Sequence, residues 1–287
     1  MEQQLPHYPE SIEVTMGLRP FLHPALSALA PEISEFTFAN IYLFRQAHGY
    51  RVSRLPDSSI IISGREGGRS FFMCPSGLPE PGVFSGLLKD FDFARCVSEK
   101  DALTLASKGF LVEEDRANFD YIYKRRELSE FSGRRYHAKK NLVNYFAASY
   151  KYEGRPLRAE YIPDAVAVLE KWSEENGAGK DYLEAKEALL NCERLSLCGG
   201  IYYVEDIPAA YILGEELNPA TFVIHFEKGI GGYKGLLQFV NKSFAGLLPQ
   251  KYEFINREQD LGDPGLRASK EGYRPCAFVK KFKVRGL

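Results

Sequence analysis

Residues 225–244 read HFEKGIGGYKGLLQFVNKSF. Four glycines fall within seven residues, and a run with helical spacing of apolar residues follows at once. A strand, a bare-backbone loop and a helix N-terminus in this order can hold an anion, because orphan N–H groups and the helix dipole act together. The stretch does not close as a P-loop, since Lys234 is followed by Gly235 and Leu236 rather than by Ser or Thr. Its glycine spacing also departs from the dinucleotide fingerprint, and no acidic residue follows after a next parallel strand. Two readings remain open from these residues: a strand-to-helix loop without a ligand, or the frame of a donor channel.

The order of elements around the loop narrows the fold. Upstream, RAEYIP (158–163) reads as an opening strand, and DAVAVLEKWSEEN (164–176) as a helix with Ala165, Val168, Leu169 and Trp172 on one face. DYLEAKEALLNCERL (181–195) is a second helix. GIYYVEDIPAAYILGEEL (200–217) reads as strand, turn and strand with Glu-Asp at the turn, and TFVIHFEK (221–228) continues the sheet. LLQFVNKSFAGLL (236–248) is the next helix and YEFINRE (252–258) the next strand. The first half carries similar elements: a helix over 36–46, strands within 50–63 and 69–77, and a helix over 83–91. Two short runs match across the halves, LTLASKGF (103–110) and LRASKEGY (266–273). In both, a glycine after a helix suits the left-handed cap position, so Gly109 and Gly272 are expected to be equivalent. The expectation is an α/β fold of mixed sheets, duplicated in tandem, with a boundary at residue 133 in the connector KRRELSEFSGRRYHAKKNLVNYF (124–146). The domains are then 1–133 and 134–287.

Composition sets the surroundings. Net charge is -1, so any nucleic-acid surface has to be local. The five cysteines are odd in number and without a CxxC pair, which argues against a disulfide framework or a structural zinc site and fits a reducing compartment. MEQQLPHYPE lacks the regions of a signal peptide, and no stretch approaches the ~20 apolar residues of a membrane span. A cytoplasmic protein is expected.

The glycine loop between the fourth strand and third helix of the second half, with a Gly-aromatic turn near the end, resembles the GNAT superfamily of N-acetyltransferases. There such a loop binds the pyrophosphate of an acyl-CoA. Lys228, Gly231 and Gly232 come near that pattern with the second small position one residue early, and Ala268 stands where many members carry a tyrosine acid. The resemblance is closer to a relative with a different donor. FINREQDLGDPGLRASKEGYRP (254–275), with HFEKG and RRYHAKKNLVNYF upstream, resembles soluble relatives of the phosphatidylglycerol lysyltransferase C-terminal domain. That family has two tandem GNAT-like halves and is related to Fem-type ligases. The resemblance implies an acyl- or aminoacyl-transferase with no tightly bound cofactor. Its donor would be aminoacyl-tRNA or acyl-CoA; the resemblance does not specify the acceptor, which is expected to be an amine or hydroxyl on a small molecule, lipid or peptide.

The residues offer candidates for such chemistry. If the strand persists through FINREQD, Asn256, Glu258 and Asp260 share one face and Arg257 points away. Glu258 and Asp260 are the candidate catalytic carboxylates, to take a proton from an attacking nucleophile or to hold a donor ammonium. Glu227, Lys228, Gly231, Gly232 and Asn256 would frame the donor, where a backbone N–H suffices to stabilise an oxyanion. His225 reads as a packed histidine. The connector sets seven basic residues against Glu127 and Glu130; of these Arg134, Arg135, Lys139 and Lys140 are the candidate contacts to tRNA phosphate. No metal site is expected. A catalytically silent module that binds a metabolite or nucleic acid is the alternative.

Overall fold

A computed structural model describes residues 5–177 and 181–286. Its strands form two sheets of seven. The first takes β1 (Ile12–Glu13), β2 (Arg51–Arg54), β3 (Ile60–Glu66), β4 (Arg69–Met73), β5 (Phe93–Ser98) and β6 (Leu111–Glu114). The second takes β7 (Asp120–Lys124), β8 (Tyr152–Pro156), β9 (Cys198–Val204), β10 (Ile207–Asn218), β11 (Thr221–Gly229), β12 (Phe254–Asn256) and β13 (Ala277–Val279). The last strand, β14 (Lys281–Arg285), returns to the first sheet. The orders are β1-β2-β3-β4-β5-β14-β6 and β8-β9-β10-β11-β12-β7-β13. They are one order written twice, and in each the strand beside the last comes from the other half of the sequence. The fourth and fifth places are parallel in both sheets, β4 with β5 and β11 with β12.

This exchange moves the boundary expected at residue 133. One compact unit comprises Met1–Asp120, Gln259–Asp263 and Phe278–Leu287; the other comprises Tyr121–Glu258 and Pro264–Ala277. The reason is ladder pairing. β14 hydrogen-bonds between β5 and β6, while residues 122–124 pair with β12. Two smaller expectations also change. The opening strand of the second half is β8, and 158–163 instead forms a short 3-10 turn (Ala159–Tyr161) that leads into the helix Ile162–Asn176. Gly109 is left-handed at φ 89°, but Gly272 is not; there the N–H of Gly272 still bonds the Ala268 carbonyl, and Arg274 takes the left-handed turn at φ 59°. The helix there runs through Lys270 and Glu271 up to Gly272, whereas the first-half helix ends at Ser107, two residues before Gly109.

In the second unit β10 is buried along almost its whole length, as expected of a strand covered on both faces. One face packs on the helices Arg125–Glu130, His137–Ser149 and Leu236–Leu247 through a core rich in aromatics, among them Tyr123, Phe146, Phe222, Phe244 and Tyr273. The helix Ile162–Asn176 covers the other with Ala165, Val168 and Leu169. The β9–β10 hairpin closes at Glu205-Asp206, both at positive φ, the geometry of a two-residue primed turn. Among the described residues no helix is long and apolar enough to cross a membrane.

Candidate functional site

The site begins where two parallel strands part. β11 pairs with β12 only from Thr221–Val223 to Phe254–Asn256, yet β11 runs on to Gly229. The chain after Asn256 stays with β7 instead: the Arg257 N–H donates to the Tyr121 carbonyl at 3.0 Å and the Tyr121 N–H to the Glu258 carbonyl at 3.2 Å. Glu258 then turns at φ 54°, held by its N–H to Asn256 Oδ1 at 2.8 Å. The alternation expected through FINREQD therefore stops at Asn256, and beyond Val223 the β11 edge has no ladder partner on β12. β11 also carries one extra residue, His225, opposite the Leu213–Gly214 step, a bulge that re-aims the strand beside the opening.

On the face of the helix Leu236–Leu247, side chains bridge the opening. Arg257 Nη2 donates to Glu227 Oε2 at 2.9 Å, and Asn241 Nδ2 donates to Glu227 Oε1 at 2.5 Å. The Arg257 guanidinium lies 4.6 Å from the Tyr273 ring centre, and the Lys139 ammonium 4.0 Å from it. Arg257 thus points into the site, contrary to the sequence expectation, because the strand has ended and the alternation with it. Arg257 Nη1 and Asn241 Oδ1 are buried and find no hydrogen-bond partner among the described residues.

On the opposite face His225 sits between two carboxylates, Nδ1 2.7 Å from Glu258 Oε1 and Nε2 3.0 Å from Glu215 Oε1. Burial by itself would push its pKa down; Glu258 and Glu215 outweigh that and raise it from 6.5 to about 10. The ring is an imidazolium at neutral pH, so it cannot accept a proton. Further along β11, Lys228 Nζ reaches Asp181 at 2.7 Å and lies 4.0 Å from the Trp172 ring centre.

The glycine loop frames a cavity of about 580 Å³, lined by Trp172, Glu175, Gly231, Tyr233, Gly235 and Gln238 among others. Gly235 is at φ 90°, and a Cβ there would stand 2.2 Å from the Leu142 carbonyl oxygen, so only glycine fits. Gly232 is also left-handed at φ 88°. The Gly231 N–H, which a phosphate would claim in a GNAT-like loop, donates to Glu175 Oε2 at 2.6 Å. Among the described residues Glu175 is the only charged side chain on the cavity wall.

The other candidates fall apart. Asp260 is fully buried in the first unit, paired to Arg116 Nη1 at 3.0 Å and accepting the Gly262 N–H at 2.8 Å. It does not share a face with Glu258, and it is no solvent-open strand end. In the connector Arg134 and Lys140 are exposed, Arg135 pairs with Glu127 at 2.6 Å, and Lys139 turns inward onto Tyr273. Sequence reasoning missed Glu215, Glu175, Asn241 and Tyr273. The 3-residue spacing of Gln238 and Asn241 after the loop was the one local sign that this helix turns a polar edge to the site.

The family described as phosphatidylglycerol lysyltransferase, C-terminal, matches residues 27–285. None of the curated proteins matches the sequence. Among solved structures, a conserved protein of unknown function from Bacteroides thetaiotaomicron is 26% identical with a TM-score of 0.86, covering 96% of this chain and 99% of its own. FemX is 10% identical with a TM-score of 0.63 and 97% of both chains covered. L-PGS of Bacillus licheniformis is 14% identical with a TM-score of 0.55, covering 85% of this chain and 90% of its own. At the two lower identities the likeness speaks to the fold, which is that of tandem GNAT proteins. With nearly its whole length matched, the chain belongs to the phosphatidylglycerol lysyltransferase C-terminal domain family.

Proposed function

We propose that the chain is an aminoacyltransferase that takes its donor from aminoacyl-tRNA and passes the aminoacyl group to an amine or hydroxyl acceptor. One observation carries the choice of donor: Glu175 occupies the Gly231 N–H, and its carboxylate is the charge on the cavity wall. An acyl-CoA pyrophosphate would have to displace that carboxylate and then lie beside it, whereas the ammonium of an aminoacyl group is drawn to it. The acceptor nitrogen or oxygen attacks the ester carbonyl carbon, the bond to the ribose oxygen breaks, and the nucleophile's proton leaves to solvent or to the departing hydroxyl. The open edge of β11 past Val223 supplies backbone N–H groups for the developing oxyanion. Glu258 enters as a positioning residue: it fixes His225, and through it the bulge of β11. Asp260, committed to Arg116, has no part in the reaction. A cytoplasmic setting, with a small-molecule, lipid or peptide acceptor, goes with a charged-tRNA donor.

The test offers the purified chain radiolabelled aminoacyl-tRNAs and acyl-CoAs in parallel, with amine and hydroxyl acceptors. Transfer should come from aminoacyl-tRNA. Glu175→Gln should lower kcat/KM with that donor about tenfold, the scale of one lost charged contact, while coenzyme A binding strengthens. Turnover of acyl-CoA by the parent, with none from aminoacyl-tRNA, would overturn the donor assignment. A parent that retains charged tRNA and transfers nothing is a binding module instead.

A further inference from the structure

We propose that the cations around Tyr273 form a seat for a backbone phosphate of a single-stranded ribonucleotide end, an inference that rests on the aminoacyl-tRNA reading. Four cations gather there. Arg257 and Lys139 lie against the Tyr273 ring, Lys270 Nζ donates to the Arg257 carbonyl, and Arg274 is the exposed left-handed residue that follows Tyr273. Of the carboxylates, Glu227 answers Arg257. Lys139 and Arg274 make no ion pair among the described residues, although Lys139 is half-buried. A cation withdrawn from water without an opposite charge is a costly arrangement that an arriving anion relieves. The strain is visible on Lys139: burial, then the charges of Arg257 and Arg274, hold its ammonium below the usual lysine range. Arg257 Nη1 adds a buried donor that finds no hydrogen-bond partner among the described residues.

The cluster is continuous with the donor cavity. The Gln238 side chain lines that cavity and lies beside Tyr273, so one residue separates the cavity from the cations. A ligand extending from Glu175 past Gln238 therefore meets a carboxylate first and cations second. An aminoacylated RNA end carries its charges in that order, an ammonium and then, past the ribose, a phosphate. Tyr233, half-buried on the cavity wall, offers a ring to a base as well. A bilayer headgroup suits the place less, because Arg257 is about nine-tenths buried and a membrane surface reaches only what is exposed.

The probe is a fluorescein-labelled single-stranded RNA ending in CCA, titrated with the full chain and followed by anisotropy between about 50 and 200 mM salt. Lys139→Met and Arg274→Ser should each weaken binding several-fold and lower the slope of log K against log salt by about 0.7, one phosphate contact on a single strand. The double change Arg134→Ser with Lys140→Ser, on exposed connector positions, should leave the affinity within about threefold. Thermal midpoints equal to the parent's show that these variants are folded. The seat is overturned if the parent does not bind the RNA, or if Lys139→Met and Arg274→Ser bind with the parental affinity and slope. It is overturned too if these variants lose binding to phosphatidylglycerol vesicles but not to RNA. If the variants lose RNA while the parent transfers no aminoacyl group, the seat stands and the transferase reading falls.

Discussion

Lys281→Met should destabilise the first unit by about 3–5 kcal/mol, the cost of leaving buried charges without their partner. Lys281 is 1% exposed and donates to Asp120 Oδ1 at 2.7 Å and to Glu35 Oε2. Asp120 also accepts the Ser34 N–H at 2.9 Å and Gln259 Nε2 at 3.0 Å, so a segment from late in the sequence is tied into the same knot. Methionine matches the length of the lysine stem but leaves two buried carboxylates with no ammonium between them. A domain of this size has only about 5–15 kcal/mol in all, so the loss is a large part of it. Acid should soften it. Burial already holds the Asp120 carboxyl above the ordinary range, while Lys281 and Arg95 hold Glu35 below it against its burial. Without the ammonium both folded carboxyls rise above their unfolded values, and a carboxyl raised in the fold favours the native state most where it is protonated. The deficit should thus be full near neutral pH and shrink toward about pH 5, read as the urea midpoint of variant against parent. A deficit below about 1 kcal/mol at neutral pH, or one that grows in acid, would show that Lys281 is not the counter-charge of this cluster.

That knot also marks how far the sequence could be read. The alternation of strands and helices was legible because each element buries one face: Ala165, Val168 and Leu169 announce their helix, and Glu205-Asp206 its hairpin. The two matching glycine runs signalled the duplication, and the two sheets repeat one order. The exchanged strands were not legible, since β7 and β14 are ordinary period-two segments and the choice of sheet rests on partners more than a hundred residues away. The site divides the same way. Glu227, Lys228 and the glycines lie in one local stretch; Glu227 reaches Arg257 across the opening, while Gly231 and Gly235 line the cavity beside it. Asp260 failed because a left-handed Glu258 ends the strand, and such a turn has no signature without glycine. Glu175 is 56 residues from Gly231, whose amide it takes, and no spacing rule joins the two.

Histidine 225 should prove to be an internal cation that holds the β11 bulge in place. Its ring is 1% exposed, with Glu215 and Glu258 at 4% and 13%. His225→Leu removes the positive charge and leaves the two carboxylates facing each other, so a loss of about 3–5 kcal/mol from the second unit is expected at neutral pH. The pH dependence fixes the cause. A histidine whose pKa is raised in the fold contributes its full stability below the unfolded value of 6.5, and that contribution fades as pH rises through about 10. The gap between parent and His225→Leu should therefore narrow on going from neutral pH to above about 10, as the parent loses what the variant never had. Glu258→Gln leaves Glu215 as the carboxylate on the ring, so the folded pKa of His225 drops and the variant's upper stability edge lies at lower pH than the parent's. Because the bulge sets the β11 N–H groups, the same variant should lower kcat with the aminoacyl donor more than it changes KM. Chemical denaturation across the pH range reads the first effect, and steady-state kinetics the second. A gap that stays constant from neutral pH to above about 10 would mean that His225 is held by packing and not by charge. A Glu258→Gln variant that raises KM alone would place that carboxylate against the donor, and not behind the strand.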